Sequence, residues 1–163
     1  MNKETYEKFI TTVPDFPKEG VVFKDIMPLL KEKYSEVIED MSSKINWNNI
    51  DYIVGIESRG FILGCGLAEK HKKGFIPVRK KGKLPPPVTS ESYELEYGTD
   101  TLEMAANDQN KRVLIVDDVL ATGGTMRATI KLCQKNHYEI MGVNVLIDLT
   151  FLKALIVEII NVN

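Results

Sequence analysis

The sequence predicts an α/β domain built on an open, mainly parallel sheet flanked by helices. Three observations carry this expectation. Short apolar runs rich in β-branched residues recur at 52–56, 75–78, 113–116 and 140–147, the pattern of strands buried on both faces. Between these runs the spacing of apolar residues becomes helical. The chain has 163 residues, 44% hydrophobic and 27% charged, the composition of one globular domain with a full core. A single domain spanning 1–163 is therefore expected, with ligands at the carboxyl ends of its strands.

Composition also excludes several functions. A net charge of −2 argues against a nonspecific nucleic-acid binder. No run approaches membrane-span length, and Met-Asn-Lys-Glu-Thr-Tyr at the start has no apolar signal core. Cys65 and Cys133 sit in helical patterns without metal-ligand spacing, so both are expected as buried, reduced thiols. The cytoplasm follows by elimination. There are no internal repeats, and His71 and His137, in polar helix-end contexts, carry no assigned chemistry.

Residues 3–13 read as an amphipathic helix with Tyr6, Phe9, Ile10 and Val13 on one side. Pro14 to Gly20 is a punctuated loop, and Val21-Val22-Phe23 is extended. A helix begins near Pro28, and 31–45 is helical with Tyr34, Val37, Ile38, Met41 and Ile45 inward. The strand at 52–56 runs into Glu57-Ser58-Arg59-Gly60 and a helix through Lys70. An arginine in such a turn sets a planar fork beside orphan backbone donors and suits an anion, unless Arg59 merely pairs with Glu57.

The strand at 75–78 leads into Arg79-Lys80-Lys81-Gly82-Lys83 and then Pro85-Pro86-Pro87. This is either a solvated loop or a basic lid for a ligand with several negative charges, such as a pyrophosphate. Residues 93–98 and 101–104 alternate like two antiparallel strands about a glycine turn. Asp108 to Lys111 is a polar turn, 125–136 a helix and 140–147 the last core strand.

The chain is organised around Val113 to Thr125, which reads strand, acidic pair, glycine turn and helix start. Ala121, Thr122, Gly123, Gly124 and Thr125 form a phosphate cradle: unpaired N–H groups face the anion, and glycines permit close approach and positive φ. No lysine follows the glycines, so this is not a Walker A loop. Asp117 and Asp118 would repel phosphate, but they can accept from a vicinal diol or hold a cation through water. A ribose 5-phosphate satisfies both features. The bland alternative is a βα turn with solvated aspartates.

This stretch resembles the ribose-phosphate motif of the type I phosphoribosyltransferases, which use phosphoribosyl pyrophosphate (PRPP). Pro14-Asp15-Phe16-Pro17 with Gly20-Val21-Val22-Phe23-Lys24-Asp25-Ile26 resembles the adenine-specific subgroup, where this segment forms a small hood over the base. The resemblance extends from Pro14 to Lys153. It implies that Phe23 stacks on adenine, that the backbone of Val22 and Lys24 reads its edge, and that Leu149 closes the pocket. An arginine is familiar where this chain has Lys24. Ser58 and Arg59 would bind pyrophosphate with Arg79, Lys80 and Lys83, some of these acting across a homodimer. Glu96, in Leu-Glu-Tyr-Gly, matches the subgroup's catalytic glutamate, with Arg59 assisting.

The reaction implied is adenine plus PRPP giving AMP and pyrophosphate, in purine salvage. Mg²⁺ would be held mainly by substrate and water rather than by protein ligands. A nucleotide-sensing regulator on the same fold is the alternative from another class, although no added output domain or basic face is visible. Hypoxanthine or xanthine is the alternative base.

Overall fold

The computed structural model describes residues 3–95, 97–120 and 123–148. The chain forms two compact units, Met1–Ile45 and Asn46–Asn163.

In the first unit, α1 (Lys3–Glu7) is followed by a small antiparallel pair, β1 (Thr11–Val13) and β2 (Phe23–Asp25), with Val13 opposite Phe23. The helix expected over 3–13 therefore stops at Glu7. Thr11, Thr12 and Val13 are all β-branched, and cross-strand pairing overrides the helical spacing. The Tyr6 hydroxyl donates to Asp40 Oδ2 at 2.5 Å. Phe16 meets Phe23 edge-on, with ring centroids 5.1 Å apart. Lys24 Nζ donates to Thr12 Oγ1 at 2.7 Å. The helix expected from near Pro28 to Ile45 is α2 (Met27–Ser42), and a non-helical Lys33 (φ −135°, ψ 24°) kinks it. Ile26, Leu29, Leu30, Val37, Ile38 and Met41 are buried, and Ile45 falls beyond its end.

The second unit is a six-stranded sheet in the order β5-β6-β4-β3-β7-β8. Its elements are β3 (Tyr52–Ile56), α3 (Arg59–His71), β4 (Gly74–Lys80), β5 (Val88–Glu94), β6 (Thr99–Ala105), β7 (Arg112–Leu120), α4 (Gly124–Lys135) and β8 (Glu139–Asp148). β4, β3, β7 and β8 are parallel, and the β5–β6 hairpin joins antiparallel through Arg79↔Glu103. The open, mainly parallel sheet is as expected. Residues 113–116 are at most 1% exposed, as a strand covered on both faces requires. From β3 the chain crosses to β4 on one side, and from β7 to β8 on the other. The crevice between β3 and β7 is thus a topological switch point, where open α/β sheets bind ligands.

Two boundaries and the burial of one cysteine differ from expectation. β7 continues through Asp117 and Asp118, pairing with β8 as far as Leu120↔Asp148, so the acidic pair lies on a strand. Arg79 and Lys80 lie on β4 rather than in the basic loop, because β6 pairs with them. Cys133 is buried, but Cys65 is exposed. The inward stripe of α3 is Gly60, Leu63, Gly64, Leu67 and Ala68, which leaves Cys65 on the outer face with Ile62 and Glu69.

Buried Asn136 fastens the hairpin to α4. Its Oδ1 accepts from Thr89 Oγ1 at 2.9 Å and Asn107 N at 2.8 Å, and its Nδ2 donates to Leu132 O at 2.9 Å. Lys135 and Lys131 pair with Glu91 alongside. Among the described residues no helix is long and apolar enough to cross a membrane.

The ring of Phe75 is wedged between β3 and α3. A Cβ on Gly55 would stand 2.6 Å from it, and one on Gly64 would stand 2.9 Å away. At Gly55 the added carbon would also meet Gly60 O at 3.1 Å, so the ring alone cannot relieve the clash. Gly55→Ala is expected to cost about 1–3 kcal/mol, the usual range for overpacking. Phe75→Leu in the same chain should recover part of it, as read from urea denaturation of both variants.

Candidate functional site

Two helices begin at the carboxyl ends of the adjacent strands β3 and β7. α3 is 13 residues long with Ser58 at its N-cap, and no side chain caps its first turn. The Glu57–Ser58 peptide is cis. α4 is 12 residues long and also lacks a side-chain cap. Its N-cap, Gly123, has φ +82°, a left-handed conformation that glycine adopts without steric cost. Each helix leaves first-turn N–H groups for an anion. Gly124 and Thr125 open α4, half-buried. Ala121 and Thr122, assigned to the same cradle, lie outside the described residues, as do Glu96 and Leu149.

Between the helix starts stand the two aspartates. Asp118 is 5% exposed, and its Oδ2 lies 2.7 Å from Arg59 Nε. That oxygen forms no well-aligned hydrogen bond, so the contact supplies charge neutralisation rather than a directed bond. Arg59 thus pairs across the crevice with β7, not with Glu57 beside it. Asp117 Oδ1 accepts the Asp118 N–H at 2.9 Å. Burial, and then the charge of Asp118, raise the Asp117 pKa well above the usual carboxylate range. Gly60 sets this spacing: a Cβ there would stand 3.0 Å from both Asp117 Oδ1 and Val116 O.

Glu57 is the hub of the basic segment. It accepts from Arg79 Nε and Nη2, each at 3.3 Å, from Lys80 N at 3.1 Å, and from Lys83 Nζ. Its neighbour Gly82 donates N–H to buried Glu103 at 2.5 Å. Lys80 Nζ turns away to Asp100 Oδ2 at 2.8 Å. Burial pushes the Glu57 carboxyl up, but the bonds from Lys83, Arg79 and Lys80 outweigh it and hold the pKa at about 2. Sequence spacing missed this role of Glu57, whose partners lie 22 to 26 positions away.

Val22, Phe23 and Lys24 belong to the first unit. Val22 is 63% exposed, Phe23 half-buried and Lys24 exposed.

The fold and site define a domain suited to a sugar carrying an anion at each end, one for each open helix start, with an acidic pair between them. Residues 25–150 match the family model described as a phosphoribosyl transferase domain. The adenine phosphoribosyltransferase of Hydrogenovibrio crunogenus is 48% identical over 157 residues, covering 94% of this chain and 91% of that protein. The crystal structure of adenine phosphoribosyltransferase from Rhodothermus marinus is 51% identical with a TM-score of 0.85, covering 92% of this chain and 88% of that one. The Trypanosoma brucei enzyme, in complex with AMP, pyrophosphate and ribose-5-phosphate, is 27% identical with a TM-score of 0.76, covering 94% and 70%. The chain belongs to the phosphoribosyltransferase family, among the adenine phosphoribosyltransferases.

The lowered Glu57 pKa has a consequence for stability. A carboxylate held at about 2 against an ordinary 4.5 contributes its full stabilisation above 4.5 and loses it as pH falls toward 2. The urea midpoint of the wild type should therefore fall across that window more steeply than that of Glu57→Gln. Parallel curves for the two proteins would contradict the assignment of Glu57 as hub.

Proposed function

We propose that this chain transfers the 5-phosphoribosyl group of PRPP to adenine, giving AMP and pyrophosphate, as a purine-salvage enzyme. The observation that carries the reading is the pair of uncapped helix starts at one switch point with Asp117 and Asp118 between them. The AMP, pyrophosphate and ribose-5-phosphate bound by the trypanosomal relative are the ligands such a site would take.

In this reading the 5-phosphate lies in the turn from Ala121 to Thr125, held by backbone N–H groups and the α4 dipole. The ribose hydroxyls face Asp117 and Asp118. Pyrophosphate lies at Ser58 and Arg59, with Arg79, Lys80 and Lys83 above it. Arg79 and Lys83 already share a carboxylate, so the pyrophosphate competes with Glu57 for them. That competition positions the cations without leaving them bare. As pyrophosphate departs, C1 of the ribose gains positive character, and the cations around Arg59 stabilise the charge on the leaving group. Adenine is held by Val22, Phe23, Lys24 and Leu149, with the aromatic ring stacked on the purine. Glu96 takes the proton that N9 loses as it attacks C1.

The donor set also fits Mg²⁺ bound in the manner expected from the sequence. Asp117 and Asp118 offer hard oxygens, one of them without a well-formed hydrogen bond, and no larger ligand cluster occurs among the described residues. They would hold the ion together with substrate oxygens and water, and the ion would supply further neutralisation of the leaving pyrophosphate.

We further propose that the whole chain acts as one phosphoribosyltransferase domain, in the cytoplasm, and as a homodimer. Two free cysteines suit a reducing compartment.

Purified protein with PRPP and Mg²⁺ should form AMP and pyrophosphate from adenine, and little or no nucleotide from hypoxanthine or xanthine. Preference for another purine would move the base assignment while leaving the transfer reaction in place. Glu96→Gln keeps shape but removes basicity, so single-turnover chemistry should fall by roughly 10²-fold or more, as loss of general-base assistance implies. PRPP affinity should hold. For the dimer, a Gly124→Val chain mixed with an Arg79/Lys80→Ala chain should regain activity through hybrid sites. Subunit exchange without recovery would show that each chain builds its site alone.

A further inference from the structure

α4 and the β5–β6 hairpin enclose an open cleft of about 490 Å³, walled by Ser92, Tyr93 and Thr99 on one side and by Gly124, Arg127 and Lys131 on the other. Gly124 belongs to the phosphate turn, so the cleft opens onto the flank of that turn.

Arg127 stands one helical turn inside α4, its N–H bonded to Gly123 O at 2.8 Å. Helix side chains lean toward the N-terminus, and a turn rises only about 5.4 Å, a span the arginine stem can cover. Its guanidinium can therefore reach the level of the first unpaired N–H groups.

Two features of this arginine conflict with local stability. A cation near a helix N-terminus opposes the dipole, and the first turn of α4 has no acidic residue to offset it. Arg127 is also half-buried, yet among the described residues nothing pairs with it. Lys131, four residues on, is matched by Glu91 at 3.8 Å. Glu94, also on the cleft wall, is exposed and forms no ion pair with Arg127. A partly desolvated cation beside an anion cradle is stabilised when the anion arrives.

We infer that Arg127 is a further substrate-binding residue, whose guanidinium donates to the sugar 5-phosphate held in the Gly123–Thr125 turn. The inference rests on the transfer reading above and adds to it a side-chain contact beside the backbone cradle. It makes recognition of the monophosphate end separable from recognition of pyrophosphate, which belongs to the α3 start and the basic segment.

The test is calorimetric binding of ribose 5-phosphate and of inorganic pyrophosphate to wild type, Arg127→Gln and Arg127→Lys, with thermal melts of each. Arg127→Gln should weaken ribose 5-phosphate about ten- to a hundredfold, the worth of a hydrogen bond to a charged group, and leave pyrophosphate within about twofold. The KM for PRPP should rise while kcat at saturation holds, and Arg127→Lys should recover part of the affinity. If Arg127→Gln melts lower than wild type, Arg127→Lys decides instead, with a severalfold loss for ribose 5-phosphate alone. Unchanged ribose 5-phosphate affinity in both variants, or equal losses for the two ligands, would overturn the assignment. Wild-type protein that neither binds ribose 5-phosphate nor forms AMP would remove the transfer reading and this inference with it. Normal wild-type turnover with an unaltered Arg127→Gln would remove the inference alone.

Discussion

The close approach of α3 to β7 at Gly60 is the constraint on which the site depends. Because no side chain intervenes, the first turn of α3 lies against the backbone at Val116 and the carboxylate of Asp117. This approach brings Arg59 within ion-pair distance of Asp118 and sets two uncapped helix starts beside one acidic pair. A methyl group at position 60 would act directly on the geometry of the crevice, since the atoms it meets are the ones that define it. The glycine is therefore a spacing element for chemistry more than a turn element for the chain.

The second organising feature is that the site supplies its own counter-ions. Arg59 rests on Asp118, Arg79 and Lys83 rest on Glu57, and Lys80 rests on Asp100. Each pairing holds its cation in a defined place. Under the proposed function, a polyanionic ligand would enter by exchanging partners rather than by ordering loose side chains. Its gain is reduced by what those carboxylates already provide, and its entropic cost is reduced as well.

Much of the fold was legible because buried parallel strands have a distinctive appearance. The runs at 52–56, 113–116 and 140–147 have no polar residue to accommodate except Asn144, and the sheet is where they place it. Failures came where pairing overruled local pattern. Thr11 to Val13 became a strand because β2 lies opposite, and β7 outran its apolar run because β8 continues beside it. The site was legible where it is local, as in the glycine turn, whose Gly123 takes the left-handed conformation anticipated for it. It was illegible where it is not. Glu57 gathers partners from a different strand and loop, and Arg59 passes over its sequence neighbour to reach Asp118. Nonlocal charge pairing leaves no periodic trace.

The junction at Asn136 has a mechanical meaning. The hairpin is anchored at its root, where Thr89, Asn107 and Glu91 meet the end of α4. In engineering terms it is a member clamped to the same beam that carries the glycine turn at its opposite end. A load on such a member produces its largest bending moment at the clamp. The buried Asn136 amide, bonded to β5 at Thr89 and to the chain just past β6 at Asn107, is therefore placed where stiffness is most needed.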